Sequence, residues 1–169
     1  MKNIFTILIL FITAHSYGQL EKKFKSIKWN YTILYPKEFS KSTNTVADNP
    51  ITELHLADGS GRSIIIMSQP FSPVDVTDLD KLTKEEMQSM LRKSYSTCNV
   101  FKFYKTTIGG QKGIMAEYSV TRGNTAVKTI QGSVYNGRCL IQVIITTFPT
   151  TFEKEESDFL KIINSIKFN

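Results

Sequence analysis

The sequence predicts an α+β fold: an antiparallel sheet with helices packed on it, in the order βββ-α-ββββ-α. Three observations carry this expectation. Seven runs alternate apolar and polar residues with period two, the mark of strands that show one face to a core. The last four runs are separated only by short glycine- and asparagine-rich turns, so neighbours must run antiparallel. Two stretches with helical spacing follow the third and the seventh run.

The first 18 residues, MKNIFTILILFITAHSYG, stand apart from this pattern. Lys2 gives a positive start, Ile4 to Ile12 an apolar run, and Ser16-Tyr17-Gly18 the small residues of a cleavage site. Residues 1–18 therefore read as a cleaved secretory signal, and residues 19–169 as a single domain. The apolar run is short of the roughly 20 residues that span a bilayer, and no second long apolar stretch exists. The mature chain is expected to carry no transmembrane helix and to be exported, periplasmic or secreted. The dense basic run Lys22, Lys23, Lys25 and Lys28 could meet an anionic surface, but it reads first as a solvated N-terminal segment. The net charge of +6 is modest and unclustered, which argues against a nucleic-acid partner.

The first strand is expected over residues 28–35, where Trp29, Tyr31, Ile33 and Tyr35 share a face and Pro36 stops the ladder. Asn49-Pro50 signals a turn. Strands over 51–57 and 62–68 are joined by Asp58-Gly59-Ser60-Gly61 as a hairpin. Residues 69–82 hold two prolines and three aspartates and read as a connector. Thr83 and Glu86 then form a capping box, opening a helix over about 84–95 with Met87, Met90 and Leu91 at helical spacing.

The meander occupies 99–107, 112–121, 125–135 and 138–147, with Asn136-Gly137 as its strongest hairpin signal. Both faces of the last strand are apolar, which predicts a central place in the sheet. Phe148-Pro149 ends it. Thr150 or Thr151 is expected to cap a final helix buried through Phe152, Phe159, Leu160, Ile163 and Ile166, and a short extended tail follows.

Gly110-Gln111-Lys112-Gly113 opening a strand, the Asn136-Gly137 hairpin, the closing Asn164-Ser165-Ile166-Lys167-Phe168 and the early Tyr31-Thr32-Ile33-Leu34-Tyr35-Pro36 together resemble PsbP/DcrB-like domains. The resemblance implies an α/β/α sandwich. It implies no single activity, since such domains serve as auxiliary subunits and chaperone-like binders.

The candidate chemistry is sparse. His55 is the one histidine of the mature chain. Glu53, two residues away on the expected same face, could orient its imidazole for a hydrolase. No nucleophile is fixed beside them, so a plain surface role carries more weight. Asp75, Asp78 and Asp80 lack the spacing of a calcium loop, and one His with two distant Cys gives no zinc set, so no metal and no cofactor are expected. Cys98 and Cys139 begin the first and fourth meander strands. Successive strands reverse, which puts them at opposite ends of the sheet and about 14 Å apart laterally, against the 7 Å a disulfide allows. They are expected as free thiols. Trp29, Tyr31 and Tyr35 could form a stacking platform, but a core face needs the same alternation.

The leading expectation is a non-enzymatic binding or assembly module of the cell envelope, with an envelope or extracellular protein as partner. Its mark would be an exposed apolar patch on the sheet or the connector. A small-molecule carrier lined by Met67, Met87, Met90 and Met115 is the alternative.

Overall fold

The computed structural model describes residues 19–42, 51–70 and 79–169. The expected signal segment 1–18, Asn49-Pro50, Asp75 and Asp78 lie outside them. The elements run β1 (Leu20–Ser26), β2 (Tyr31–Pro36), β3 (Ser40–Lys41), β4 (Thr52–Ala57), β5 (Ser63–Pro70), α1 (Lys84–Arg92), β6 (Cys98–Ile108), β7 (Gln111–Arg122), β8 (Thr125–Tyr135), β9 (Cys139–Thr147), α2 (Pro149–Asn164) and β10 (Lys167–Phe168). Among the described residues the fold is α+β, with antiparallel sheets and two helices.

Seven strands form the main sheet in the order β3-β4-β5-β9-β8-β7-β6. β9 is its middle strand, as its two apolar faces predict, and Cys139, Ile141, Val143 and Ile145 are all fully buried. A second sheet of three strands, β1-β2-β10, lies beside it. Its first member corrects the sequence reading. The basic run is not a solvated segment but strand β1, paired along β2 from Leu20↔Pro36 to Ser26↔Tyr31. Leu20 and Phe24 turn inward and pack on the core, so two apolar residues among many lysines suffice to seat the strand. Trp29 also moves: β2 begins at Tyr31, and Trp29 sits in the turn before it, next to Asn30 with φ 56°.

The two faces of the main sheet carry separate cores. On one face Tyr31, Ile33, Leu54, Leu56, Ile64, Ile66, Ile130, Met115 and the β9 residues pack with Phe152, Phe159, Ile162 and Ile163 of α2. Gly132 allows the helix this close approach, because a Cβ there would overlap the Ile163 Cγ2 methyl. On the other face Val100, Ile114, Ala116, Tyr118, Val120 and Val127 pack with Leu82 and Met87.

The Thr83–Glu86 capping box forms as read, with the Glu86 amide donating to Thr83 Oγ1 and the Thr83 amide to Glu86 Oε2. Met90 departs from the buried stripe and is 53% exposed. The helix is shorter than expected, closing at Arg92. The cap of α2 differs as well. Neither threonine caps it; Phe148 holds the N-cap position with no side-chain bond, and Pro149 follows at the first helical position. No helix among the described residues is long and apolar enough to cross a membrane.

Candidate functional site

Two irregularities in the main sheet build the two regions with chemical content. The first is in β4. Pairing with β5 runs Thr52↔Met67 and then Leu54↔Ile66, so Glu53 is an extra residue, a β-bulge. Strict alternation would put Glu53 and His55 on one face. The bulge separates them. His55 pairs with Ile65, on the face away from Ile64 and Ile66. Glu53 instead turns with Leu54 toward the face that carries β1 and β2.

There the Glu53 carboxylate meets three hydroxyls. Ser26 Oγ donates to Oε1 at 2.7 Å, Ser68 Oγ donates to Oε2 at 2.7 Å, and the Tyr31 hydroxyl donates to Oε2. Tyr31 and Ser68 oxygens are also 3.1 Å apart. Burial first, and then the bond to Glu53, raise the Tyr31 phenol far above its ordinary pKa, which favours the protonated donor. The network extends outward. The Trp29 amide donates to Ser26 Oγ at 3.2 Å, and Asn136 Nδ2 donates to the Trp29 carbonyl at 3.2 Å. Asn136 Oδ1 accepts from the amides of Arg138 and Cys139. Burial and the Glu53 charge push the Cys139 thiol up to about 11, so it stays protonated and a poor nucleophile. Each carboxylate oxygen thus accepts hydroxyl protons, and the cluster stitches β1, β2, β4 and β5 together.

The remaining sequence candidates are dispersed. Burial, and then the Arg122 charge, lower the His55 pKa, and its buried Nδ1 has no hydrogen-bond partner among the described residues. Of the aromatic trio, Tyr31 is fully buried and Trp29 and Tyr35 are half-buried against the core, so the three do not present one open face. Met115 lies in the α2-side core, Met87 in the α1-side core, and Met90 in solvent. Cys98 and Cys139 are free thiols. Asp80 bonds Lys112 at 2.8 Å. Among the described residues no three His, Cys, Asp or Glu side chains cluster to hold a metal ion.

The second irregularity is in β6. Pairing with β7 runs Val100↔Tyr118 and then Lys102↔Glu117, leaving Phe101 as the extra residue. Phe101 stands edge-on to Phe152 of α2, with ring centroids 6.2 Å apart. Lys128 Nζ lies 5.2 Å from the Phe101 centroid and 5.1 Å from that of Phe152, and it pairs with Glu153. At the first turn of the same helix Phe148 covers Gly61, where a Cβ would collide with its ring. Arg62 behind it is fixed by Asp58, by Glu155 at 3.3 Å and by Glu38 at 3.6 Å. Phe101 and Phe148 are nevertheless 38% and 41% exposed. Beside Phe101, Lys102 Nζ reaches Glu117 Oε1 and Glu156 Oε1, each at 2.8 Å. The contact to Glu117 is an ion pair set off the direction of a good hydrogen bond, which leaves Oε1 without one. Burial, and then the nearby Glu156, raise the Glu117 pKa, while Lys102 opposes them.

Sequence reasoning missed Ser26, Ser68, Phe101, Phe148, Lys102 and Glu117. One signal was available for Phe101. It is weak, an apolar pair Val100 and Phe103 three residues apart, and its meaning emerges only when the structure turns both toward the α1-side core.

No family model matches the chain, and no curated protein matches it in sequence. Solved structures do. Cyanobacterial PsbP (CyanoP) from Synechocystis sp. PCC 6803 superposes with a TM-score of 0.70 at 14% identity, over 91% of this chain and 96% of its own. LpqN of Mycobacterium tuberculosis, described as involved in cell envelope biogenesis, gives 0.59 at 8% identity, over 88% and 90%. The Saccharomyces cerevisiae Ran-binding protein Mog1p gives 0.58 at 10% identity, over 87% and 94%. The chain has a PsbP-like fold, and identities this low speak for the fold alone.

Proposed function

We propose that this chain is a non-enzymatic binding module of the cell envelope or exterior, which docks a protein partner through the aromatic rim at the start of α2. One observation carries the reading. Phe148 occupies the N-cap of α2, a position that favours Ser, Thr, Asp or Asn, and gives it no side-chain cap; the Thr151 amide is met by the Phe148 carbonyl, and the ring is substantially exposed. A local rule broken at the surface by a ring that only partly packs, over Gly61, points to use by a partner. Phe101, raised from the β6 edge by its bulge, supplies a second ring at the same helix start, and the Lys128–Glu153 pair supplies a polar border. Aromatic anchors within a charged rim suit a protein segment that offers an aliphatic or aromatic side chain. The signal-like first 18 residues support placement outside the cytoplasm, and the Ran-binding protein Mog1p and LpqN, involved in cell envelope biogenesis, run in the same direction.

The test is a crosslinked pull-down of the tagged protein from its own cells, read by mass spectrometry, beside the Phe101→Ser/Phe148→Ser double variant. One reproducible protein that the double variant loses at least tenfold supports the rim. The same protein retained by the variant removes the rim from the account. A monomer recovered without protein but with added non-covalent mass replaces the module by a small-molecule carrier.

A further inference from the structure

We propose that the tip of the β1–β2 hairpin is a second docking surface, remote in chemistry from the aromatic rim, and that it settles on an anionic lipid bilayer. Ile27 at the apex is 88% exposed, far above any other exposed large hydrophobic residue among those described. An aliphatic side chain held in water at a hairpin apex gives the fold nothing.

The charges around it are one sign. β1 turns Phe24 and Ser26 inward, so Lys23 and Lys25 point out. Lys25 pairs with Thr32, and Thr32 pairs on its other side with Lys167, which sets a cation on each flank of the small sheet. Lys28 follows Ile27 and lies 4.7 Å from the centre of the Trp29 ring. Arg138, on the turn between β8 and β9, joins the same end through the Asn136 bond to the Trp29 carbonyl. None of these five cations forms an ion pair among the described residues. The nearby acids are committed elsewhere or few. Glu21 pairs with Lys37 at 3.5 Å, and Glu53 faces inward to Ser26. The backbone of Asn169 bonds Asn30, which brings that residue to the edge of the tip.

The shape selects the partner. The tip is an apex with one aliphatic residue, a half-buried tryptophan and long lysines. A lipid surface accepts these parts together: the apolar residue enters the headgroup layer, the indole lies at the boundary, and the lysines extend toward phosphates. Each cation near such a surface strengthens binding by about fivefold. A single isoleucine adds little, so the attachment is reversible and weakens as salt shortens the reach of the charges.

Trp29 is the only tryptophan of the chain, so emission excited selectively at tryptophan, apart from the tyrosines, reports on the tip. The full protein, processed by its own cells, is titrated with vesicles containing about one third phosphatidylglycerol and with vesicles of phosphatidylcholine alone. The expected result is a blue shift and co-sedimentation on the anionic vesicles, at least tenfold weaker on the neutral ones and reversed by 0.5 M salt. Ile27→Ser and Lys25→Glu/Lys28→Glu should each reduce partitioning about tenfold with unchanged melting, since all three positions are exposed. The Phe101→Ser/Phe148→Ser protein should bind vesicles like the parent, so the two surfaces fail or succeed separately. Equal binding to neutral vesicles overturns the proposal. Sedimentation with a silent Trp29 also overturns it, because attachment then lies elsewhere. An equal shift with soluble polyglutamate that Ile27→Ser leaves intact makes the tip an acidic-protein site and overturns the lipid assignment.

Discussion

The bulges in β4 and β6 make the same insertion and obtain opposite results. In β4 the extra residue is a glutamate that turns inward, and three hydroxyls replace the water it loses. In β6 the extra residue is a phenylalanine left half in solvent, and the lysine after it answers a buried carboxylate, Glu117, with charge. Neutral donors fix geometry and respond little to salt, whereas an ion pair with a half-exposed lysine is screened by water and titrates. The β4 region therefore reads as a clamp between the two sheets, and the β6 region as the adjustable edge of a surface.

The largest effect is expected at the clamp. Glu53→Ala leaves the buried hydroxyls of Tyr31, Ser26 and Ser68 without their acceptor, and each lost acceptor carries a desolvation cost. A loss of about 3 kcal/mol in urea unfolding is expected. Glu53→Gln keeps one acceptor oxygen but turns a donor toward hydroxyls that were donating, so it should lose about half as much. Equal losses for Ala and Gln, or a loss below about 1 kcal/mol, would show that the small sheet is seated by Leu20, Phe24 and Ile33 and not by the clamp.

The ion pair should respond less, and with a pH signature. The folded state raises the Glu117 pKa, so it binds that proton more tightly than the unfolded chain does. The stability tied to this group is complete below the ordinary carboxylate range near 4.5 and is lost as pH rises through the folded value. Lys102 offsets that loss. Lys102→Met should therefore cost about 1–2 kcal/mol near neutral pH and clearly less at pH 4, where Glu117 is protonated in both states. Melting curves at the two pH values decide it. A cost independent of pH would assign the role of Lys102 to its methylene packing beside Tyr104.

The sequence made the order of elements legible because alternation, turn chemistry and capping agree from β4 onward. Asn136-Gly137, the Thr83–Glu86 box and the two-faced apolar β9 all appear where the residues place them. The site was less legible, and for one physical reason. A bulge shifts period two by one residue, so strict alternation puts Glu53 on the face of His55 and gives Phe101 no special place. β1 was hidden differently: its strand rests on two inward apolar residues and on backbone pairing, while composition reports only its lysines. Ser26 and Ser68 carry no pattern of their own, since a hydroxyl becomes informative only once its acceptor is placed.

His55, on the opposite face, sharpens the contrast with a smaller effect. Burial, and then Arg122, depress its folded pKa. The contribution is therefore present above the unfolded value near 6.5 and is lost as pH falls toward the folded one. His55→Gln should flatten the stability profile between about pH 7 and pH 5 by roughly 0.5 kcal/mol. A slope unchanged by the substitution would move the acid sensitivity to other groups.

The smallest expected change in stability is also the one that bears most on function. Phe148→Ser removes a ring that covers Gly61 and supplies the side-chain cap that the N-cap position of α2 lacks. A serine cap contributes about 1 kcal/mol, close to what the half-exposed ring would lose on removal. The melting temperature should therefore stay within a few degrees of the parent while partner capture falls. A marked drop in stability would mean that Phe148 serves as the lid of the Asp58–Arg62 hairpin and is exposed only as the back of that packing. The rim would then reduce to Phe101 and Lys128, and the β6 bulge alone would have to account for binding. An unchanged or raised melting temperature together with a lost partner would separate folding from recognition at a single residue.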